Sequence, residues 1–432
     1  MFEEHGPPIE FTAAGDTPEE QTTNLKIVRP SPGFDPASEL CAEAIIKDAD
    51  VTVLDFSPQQ VTVRFQIDGL WHAGTPMDRE MGDYMLATLK QLAGVDYRER
   101  RERQTGNFAS LYLKKKQKFK LVSQGIQTGE RVALYLDYKR PPLDKPEDLG
   151  MRASMGKQLR AIVNDTNMGI LMSTAVPGEG YTAVWRGMLE ATDRLTRDFF
   201  VMEHVGKNEP EVINVYPVEY DSAKGENPMT PMKQLMLKEP DVLAFPDIAS
   251  GKLLDQIVSH SVTHEMPIFT RIPGKHCLDG LLRLVALKPD VKKLTDRMTA
   301  VISMRLIRLL CEDCKIGFQP HPQMIHQLGL PQGRVAELFK PMVYQPGMVD
   351  ENDVEIEPCS NCSGIGYRGR TGLFELLMFN DELRQALVSN PRLDQLSAVA
   401  KRHGHVSMQM EGVVMIAGGR TSVEELQRVL KS

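Results

Sequence analysis

NMGILMSTAVPGEGYTAVWRGMLE (167–190) decides how this chain is to be read. A short apolar run, rich in β-strand formers, stops at Pro177-Gly178-Glu179-Gly180 and gives way to a helical pattern opening at Tyr181. Strand, glycine-bearing turn, helix is the setting in which a phosphate-binding loop works. Such a loop needs G-x-x-x-x-G-K-[S/T]: backbone N–H groups surround the phosphates, the lysine balances their charge, and the hydroxyl ligates Mg²⁺. Here the stretch is Ala175-Val-Pro-Gly178-Glu179-Gly180-Tyr181-Thr182. Gly178, Gly180 and Thr182 fit the pattern, Ala175 stands for the first glycine, and Tyr181 stands for the lysine.

A tyrosine is neutral at pH 7, so the nearest side-chain counter-charge is missing, and Glu179 adds a negative group. Two like charges ~4 Å apart repel by about 4 kcal/mol at an effective dielectric of ~20. Pro177 removes one N–H donor, while the helix N-terminus still attracts anions. Weak nucleotide or phosphate binding by Gly178, Glu179, Gly180, Tyr181 and Thr182 is the functional expectation. A strand–turn–helix kept for packing explains the stretch equally well.

Outward from the loop, DFFVME (198–203), DVLAF (241–245) and MPIFTRI (266–272) read as further buried strands between helices, which predicts a parallel sheet covered on both faces. The apolar run 297–310, interrupted by Arg305 and Arg308, reads as a helix. Thr421-Ser-Val-Glu424 reads as a capping box for the last helix. Upstream, KRPPLDKPEDLG (139–150) is a proline-rich hinge. Before it, residues 33–138 alternate helices and strands with an Asp68-Gly69 turn, predicting a small α/β domain with an antiparallel sheet. Residues 1–32, rich in Pro, Glu, Gly and Thr, read as a mostly disordered arm. The second domain is expected over 151–432.

The 432 residues carry 41% hydrophobic and 25% charged residues and a net charge of −7, an ordinary globular composition that argues against nucleic-acid binding by bulk electrostatics. No stretch approaches the roughly 20 apolar residues of a membrane span, and the N-terminus lacks a signal-peptide pattern, so a cytoplasmic protein is expected. Of six cysteines, Cys311, Cys314, Cys359 and Cys362 form two C-x-x-C elements, which in a reduced compartment favour a tetrahedral metal site, zinc first. Cys41 and Cys277 lie in apolar segments and read as core. His260 and His264 could share a helix face, but with His276 they fit surface or packing roles better than a metal site.

Six segments, in order, resemble the type II secretion and type IV pilus assembly ATPases of the GspE/PilB type. They are RFQIDG (64–69), LAGVDYRERRERQTG (92–106), GERVALYL (129–136), KEPD (238–241), RLIRLLCEDCK (305–315) and CSNCSGIGYRGRTGLFELL (359–377). The resemblance implies a RecA-like P-loop core and a four-cysteine zinc module within 305–370. It also implies hexameric rings with paralogues, a membrane-platform partner, and a place at the cytoplasmic face of the inner membrane. By the same resemblance Glu203 remains of the acidic box, Asp247 takes the place of the catalytic glutamate, and Pro273 that of a histidine. Three first-domain arginines that close over phosphate fall on Asn107, Leu121 and Tyr135.

The expected function is therefore a catalytically impaired, pseudo-ATPase subunit with weak or no ATP and Mg²⁺ binding. A divergent active ATPase, with Asp247 as base and Arg186 or Lys275 supplying charge, is the alternative. A scaffold unrelated to secretion is a third. Turnover measured beside Tyr181→Lys separates the first two; capture of partners from the native cell tests the third.

Overall fold

The structure, a computed structural model, describes residues 9–137, 145–207, 209, 211–331, 335–349 and 352–431. It divides into two compact units, Met1–Pro141 with Val343–Ile365 and Pro142–Met342 with Gly366–Ser432. The proline-rich hinge falls partly, at 139–144, outside the described residues.

The first unit is an antiparallel sheet backed by helices. Its strands are β1 (Glu10–Thr12), β2 (Ala49–Phe56), β3 (Gln60–Ile67), β4 (Leu70–Ala73), β5 (Met77–Asp78), β6 (Gln104–Tyr112), β7 (Lys115–Ile126) and β8 (Gly129–Asp137), in the order β1-β6-β7-β8-β2-β3-β4, with β5 on β3. The helices are α1 (Pro18–Val28), α2 (Phe34–Ile46) and α3 (Arg79–Leu92). Alternation puts Val61, Val63, Phe65 and Ile67 of β3 into the core, as a one-face-buried strand requires. Asp78 caps α3 by accepting from the Met81 N–H, and Met85, Leu86, Leu89 and Leu92 form its buried stripe. Gly33 has no room for a side chain: a Cβ there would lie 2.1 Å from the Tyr84 carbonyl oxygen.

The expected disordered arm is corrected over residues 9–32. Ile9, Phe11 and Ala13 are buried, β1 pairs with β6 (Phe11 opposite Ser110), and Thr17 caps α1. Three alternating apolar residues among proline and glutamate are too short a pattern to read, and their pairing partner is about a hundred residues away.

The second unit is built on β9 (Ile170–Ala175), β10 (Phe199–His204), β11 (Val215–Tyr220), β12 (Val242–Phe245), β13 (Ile268–Pro273), β14 (Met298–Leu310) and β17 (Tyr367–Met378), ordered β11-β10-β12-β13-β9-β14-β17. The ladders are parallel except β14–β17. A two-stranded ribbon, β15 (Ile316–Phe318) with β16 (Leu338–Lys340), lies apart in the ladder scheme. Helices α4 (Ala153–Val163), α5 (Tyr181–Glu190), α6 (Met232–Leu235), α7 (Gly251–Thr263), α8 (Cys277–Ala286), α9 (Val291–Arg297), α10 (Pro322–Leu328), α11 (Asp381–Ser389), α12 (Leu393–Arg402), α13 (Met408–Ala417) and α14 (Val423–Lys431) accompany them. All six residues of β9 are buried, which is why the run reads as unbroken apolar sequence: two separate core clusters take its alternate side chains, Ile170 and Met172 in one, Leu171 and Ala175 in the other.

Three expectations change here. The 297–310 run is strand β14, not a helix; a continuous apolar run lacks the period that separates the two, and its place between β9 and β17 decides. The cap of α14 is Ser422, whose Oγ accepts from the Glu425 N–H, while the Thr421 hydroxyl donates to the Arg308 carbonyl. The stretch 305–370 is not one module either, since Arg305–Leu310 and Tyr367–Arg370 belong to β14 and β17.

Candidate functional site: a loop whose neighbouring cations are already paired

β9 ends at Ala175 opposite Pro273 of β13, and the chain turns at once. The Glu179 N–H bonds the Val176 carbonyl at 2.9 Å, so this donor closes the turn instead of facing an anion. Gly178 and Gly180 have φ of 83° and 105°, a region where a side chain is strained; Gly180 then opens α5. Thr182 is exposed.

Tyr181 folds back onto a buried cation. The Arg271 guanidinium carbon lies 4.7 Å from the centre of its ring and 5.3 Å from that of Trp185. Arg271 comes from β13 and is only 4% exposed. Its Nη1 donates to Glu209 Oε2 at 3.1 Å, its Nη2 to the other Glu209 oxygen, and its Nε to the Pro246 carbonyl. A bidentate carboxylate plus two aromatic faces leaves this cation fully engaged. Burial, with Asp247 and Glu209 adding to it against the pull of Arg271, holds the Tyr181 phenol up at about 12, so it stays neutral at physiological pH.

Glu179 does not repel a ligand from the open loop; it is taken by Arg305 of β14. Both Nε and Nη2 of Arg305 lie 2.6 Å from Glu179 Oε2. Asp247 is likewise paired, to Lys207 Nζ at 2.6 Å. Glu203 at the end of β10 has its carboxyl pushed up by burial and by Glu209, with Arg271 opposing. His204 shares its Nε2 with the Ser222 hydroxyl at 2.6 Å.

A cavity of about 760 Å³ lies beside these groups, lined among others by Tyr181, Lys207, Asp247, Lys252, Arg271 and Pro273. The structure thus brings Tyr181 and Asp247 together, while Gly178, Glu179, Gly180, Thr182 and Glu203 are outside its lining. Arg186 pairs with Glu190 and Lys275 is exposed, with its backbone N–H on Asp279. Reading by sequence missed Arg271, Arg305, Glu209 and Lys207. The available signal was an arginine inside an otherwise apolar strand, MPIFTRI, because a buried charge demands a partner.

In the first unit, Asn107, Lys120 and Tyr135 occupy one row across β6, β7 and β8. Leu121, the other of the three positions matched to arginines, is fully buried on the opposite face, as neighbours along a strand are.

The Sγ atoms of Cys311, Cys314, Cys359 and Cys362 lie within 4.8 Å of one another. The turns beside them need glycine: Gly364 and Gly366 have φ of 79° and 80°, and a Cβ at Gly366 would meet Pro341 at 2.7 Å. The Cys311 N–H donates to the Gly366 carbonyl and the Lys315 N–H to the Cys311 carbonyl. This grouping can hold a metal ion. Cys41 and Cys277 are buried core thiols, pushed up by burial. The rings of His260 on α7 and of His264, its C-cap residue, lie 4.3 Å apart at 42°.

The family profile described as Type II/IV secretion system protein matches residues 36–428, and the chain belongs to that family. It is 22% identical over 390 residues to the Type IV pilus assembly ATPase PilB of Thermus thermophilus, covering 90% of this chain but 42% of that protein. It is 25% identical over 398 residues to Type II secretion system protein E of Dickeya dadantii, covering 91% of this chain and 74% of that one. Among solved structures, the ATPase DotB of Legionella pneumophila matches with a TM-score of 0.55 at 10% identity over 93% of this chain and 96% of that one, a likeness of fold: the second unit is a RecA-like α/β core. Among the described residues no helix is long and apolar enough to cross a membrane.

Proposed function

We propose that this chain is a catalytically impaired, pseudo-ATPase member of a type II secretion or type IV pilus assembly system, binding ATP weakly or not at all. The observation that carries the reading is the pairing of both buried cations nearest the loop: Arg271 is held by Glu209 and two aromatic rings, Arg305 by Glu179. A triphosphate arriving here meets no lysine at position 181 and must displace a carboxylate to gain an arginine. The residues present do not fit Mg·ATP. With the cations committed, developing charge on a transferring phosphoryl group has few stabilisers.

The role that remains is structural or regulatory. The chain would join a homo- or hetero-oligomeric ring, with intact paralogues supplying turnover, against a membrane-platform protein at the cytoplasmic face of the inner membrane. The four cysteines fit a structural zinc ion: thiolates at ~2.3 Å from zinc stand about 3.8 Å apart in a tetrahedron, within the observed limit. A closed thiolate set would brace the fold and leave no open position for catalysis.

A second reading, a divergent active ATPase, draws on Lys207 and Lys252, which line the same cavity as Tyr181 and Asp247. The deciding experiment is equilibrium binding of a fluorescent ATP analogue, with turnover measured in parallel, for the parent and for Glu179→Gly/Tyr181→Lys. The pseudo-ATPase reading expects no turnover in the parent and nucleotide binding gained by the double variant. Turnover in the parent, abolished by Lys207→Ala, would establish the alternative.

A further inference from the structure

The β6–β7 hairpin of the first unit carries Lys114, Lys115, Lys116, Lys118 and Lys120, all exposed. In a chain of net charge −7 this is a local reversal of sign. Among the described residues none of the five is in an ion pair. Strand alternation puts Lys116, Lys118 and Lys120 on one face, with Asn107 and Tyr135 beside Lys120. The carboxylates in the neighbouring register are two, Asp137 opposite Lys118 and Glu10 opposite Leu111, so the cations outnumber them.

The tip is unusual in a second way. Tyr112 pairs with Lys115, leaving Leu113 and Lys114 as a two-residue turn with φ of 46° and 64°. Both sit in the left-handed region, where such turns ordinarily use Asn-Gly because a leucine is sterically strained there. That leucine is 78% exposed at the outermost point of the hairpin. Leu111 on β6 and Tyr135 on β8 add half-exposed apolar surface to the same patch.

We propose that this hairpin is a docking surface for a membrane carrying anionic lipid headgroups. An apolar tip ringed by long-stemmed cations matches an interface in which leucine enters the acyl boundary and lysines reach phosphates. An acidic protein would account for the lysines but gives no use to a strained, water-facing leucine. The surface stands on the first unit alone and is independent of whether the loop at 175–182 binds nucleotide.

The experiment is co-sedimentation of the full chain with phosphatidylcholine vesicles and with vesicles containing phosphatidylglycerol, across a salt series. Two variants accompany it: Lys116→Glu/Lys118→Glu/Lys120→Glu, and Leu113→Asn, which suits the turn and so preserves the hairpin. Expected are binding only to the anionic vesicles, falling with salt. The charge reversal should lower the partition coefficient by at least about tenfold, and Leu113→Asn should lower it severalfold without loss of thermal stability. Absence of binding to the anionic vesicles, or equal binding by the charge-reversed variant, overturns the proposal. So does a Leu113→Asn partition equal to the parent's together with full displacement by soluble polyglutamate, which would assign the lysines to an acidic protein.

Discussion

The guanidinium of Arg271 lies over the ring of Tyr181, the first residue of α5. At the N-terminus of α5 an aromatic ring thus covers a fixed, buried cation. Arg271 is satisfied from three sides, so its charge belongs to the fold before any anion arrives.

Removing the carboxylate that holds Arg305 tests the matching arrangement on the other side of the loop. Glu179→Gln takes a charged partner from an arginine that is nearly sealed from water. Because Glu179 itself is one-third exposed, the expected loss is ~1–2 kcal/mol, below the range for a fully buried pair. Urea unfolding measures it, and an unchanged midpoint would refute the pairing.

In the first unit, Lys90 is fully buried with its Nζ 2.5 Å from Glu130 Oε1. Lys90→Met leaves that carboxylate without its main partner and should cost about 3–5 kcal/mol. Lys90→Met/Glu130→Gln should recover part of that loss, since a lone buried charge costs more than a neutral pair; a double-mutant cycle by chemical denaturation reports it.

Glu203 gives a dependence on pH with a definite sign. Its carboxyl is raised in the native state, chiefly by burial, so the folded chain holds this proton more tightly than the unfolded chain does. Ionising it therefore costs stability, and the contribution falls as pH rises from the unfolded carboxylate value through the native one. Glu203→Gln should melt higher than the parent at pH 7, and the gap should close below pH ~4. Paired thermal melts across that interval check both parts.

Gly33→Ala places a methyl group against the backbone of α3, 2.1 Å from the Tyr84 carbonyl oxygen. Nothing there is the flexible end of a side chain, so α2 and α3 must separate, at a cost of ~2–4 kcal/mol. Reversible denaturation of the purified variant gives the number.

Metal content is the last test. Parent protein should carry one zinc per chain by elemental analysis, and Cys311→Ser/Cys359→Ser should carry none. A parent free of zinc when prepared in zinc-replete medium would refute the assignment.

The parallel core was readable because β9, β12 and β13 are short runs bounded by turns, and the loop was readable from its glycines. The cysteine grouping was readable from spacing alone. What could not be read was every relationship set by distant register. Ile9, Phe11 and Ala13 look like part of a polar arm until β6 is placed beside them. Leu121 and Lys120 are neighbours in the chain, and only the ladder tells which faces outward. Arg271 and Glu209, or Arg305 and Glu179, become partners through folding that brings separate segments to one end of the sheet, and no local periodicity encodes that. The run 298–310 defeated the reading because burial on both faces erases the period that distinguishes strand from helix.

Strand β14 joins two charged anchors on its opposite faces. Arg305 grips Glu179 in the loop, while three residues along Arg308 gives its side chain to Glu425 at the start of α14. Arg308 also lies 3.9 Å from the ring centre of Tyr367, and Glu425 is shared with Arg428. The C-terminal helix is therefore a plug for a charge the sheet cannot leave bare. Shortening the chain before Ser422 would unseat the strand that steadies the loop, so a trimmed variant is the wrong background in which to measure nucleotide binding.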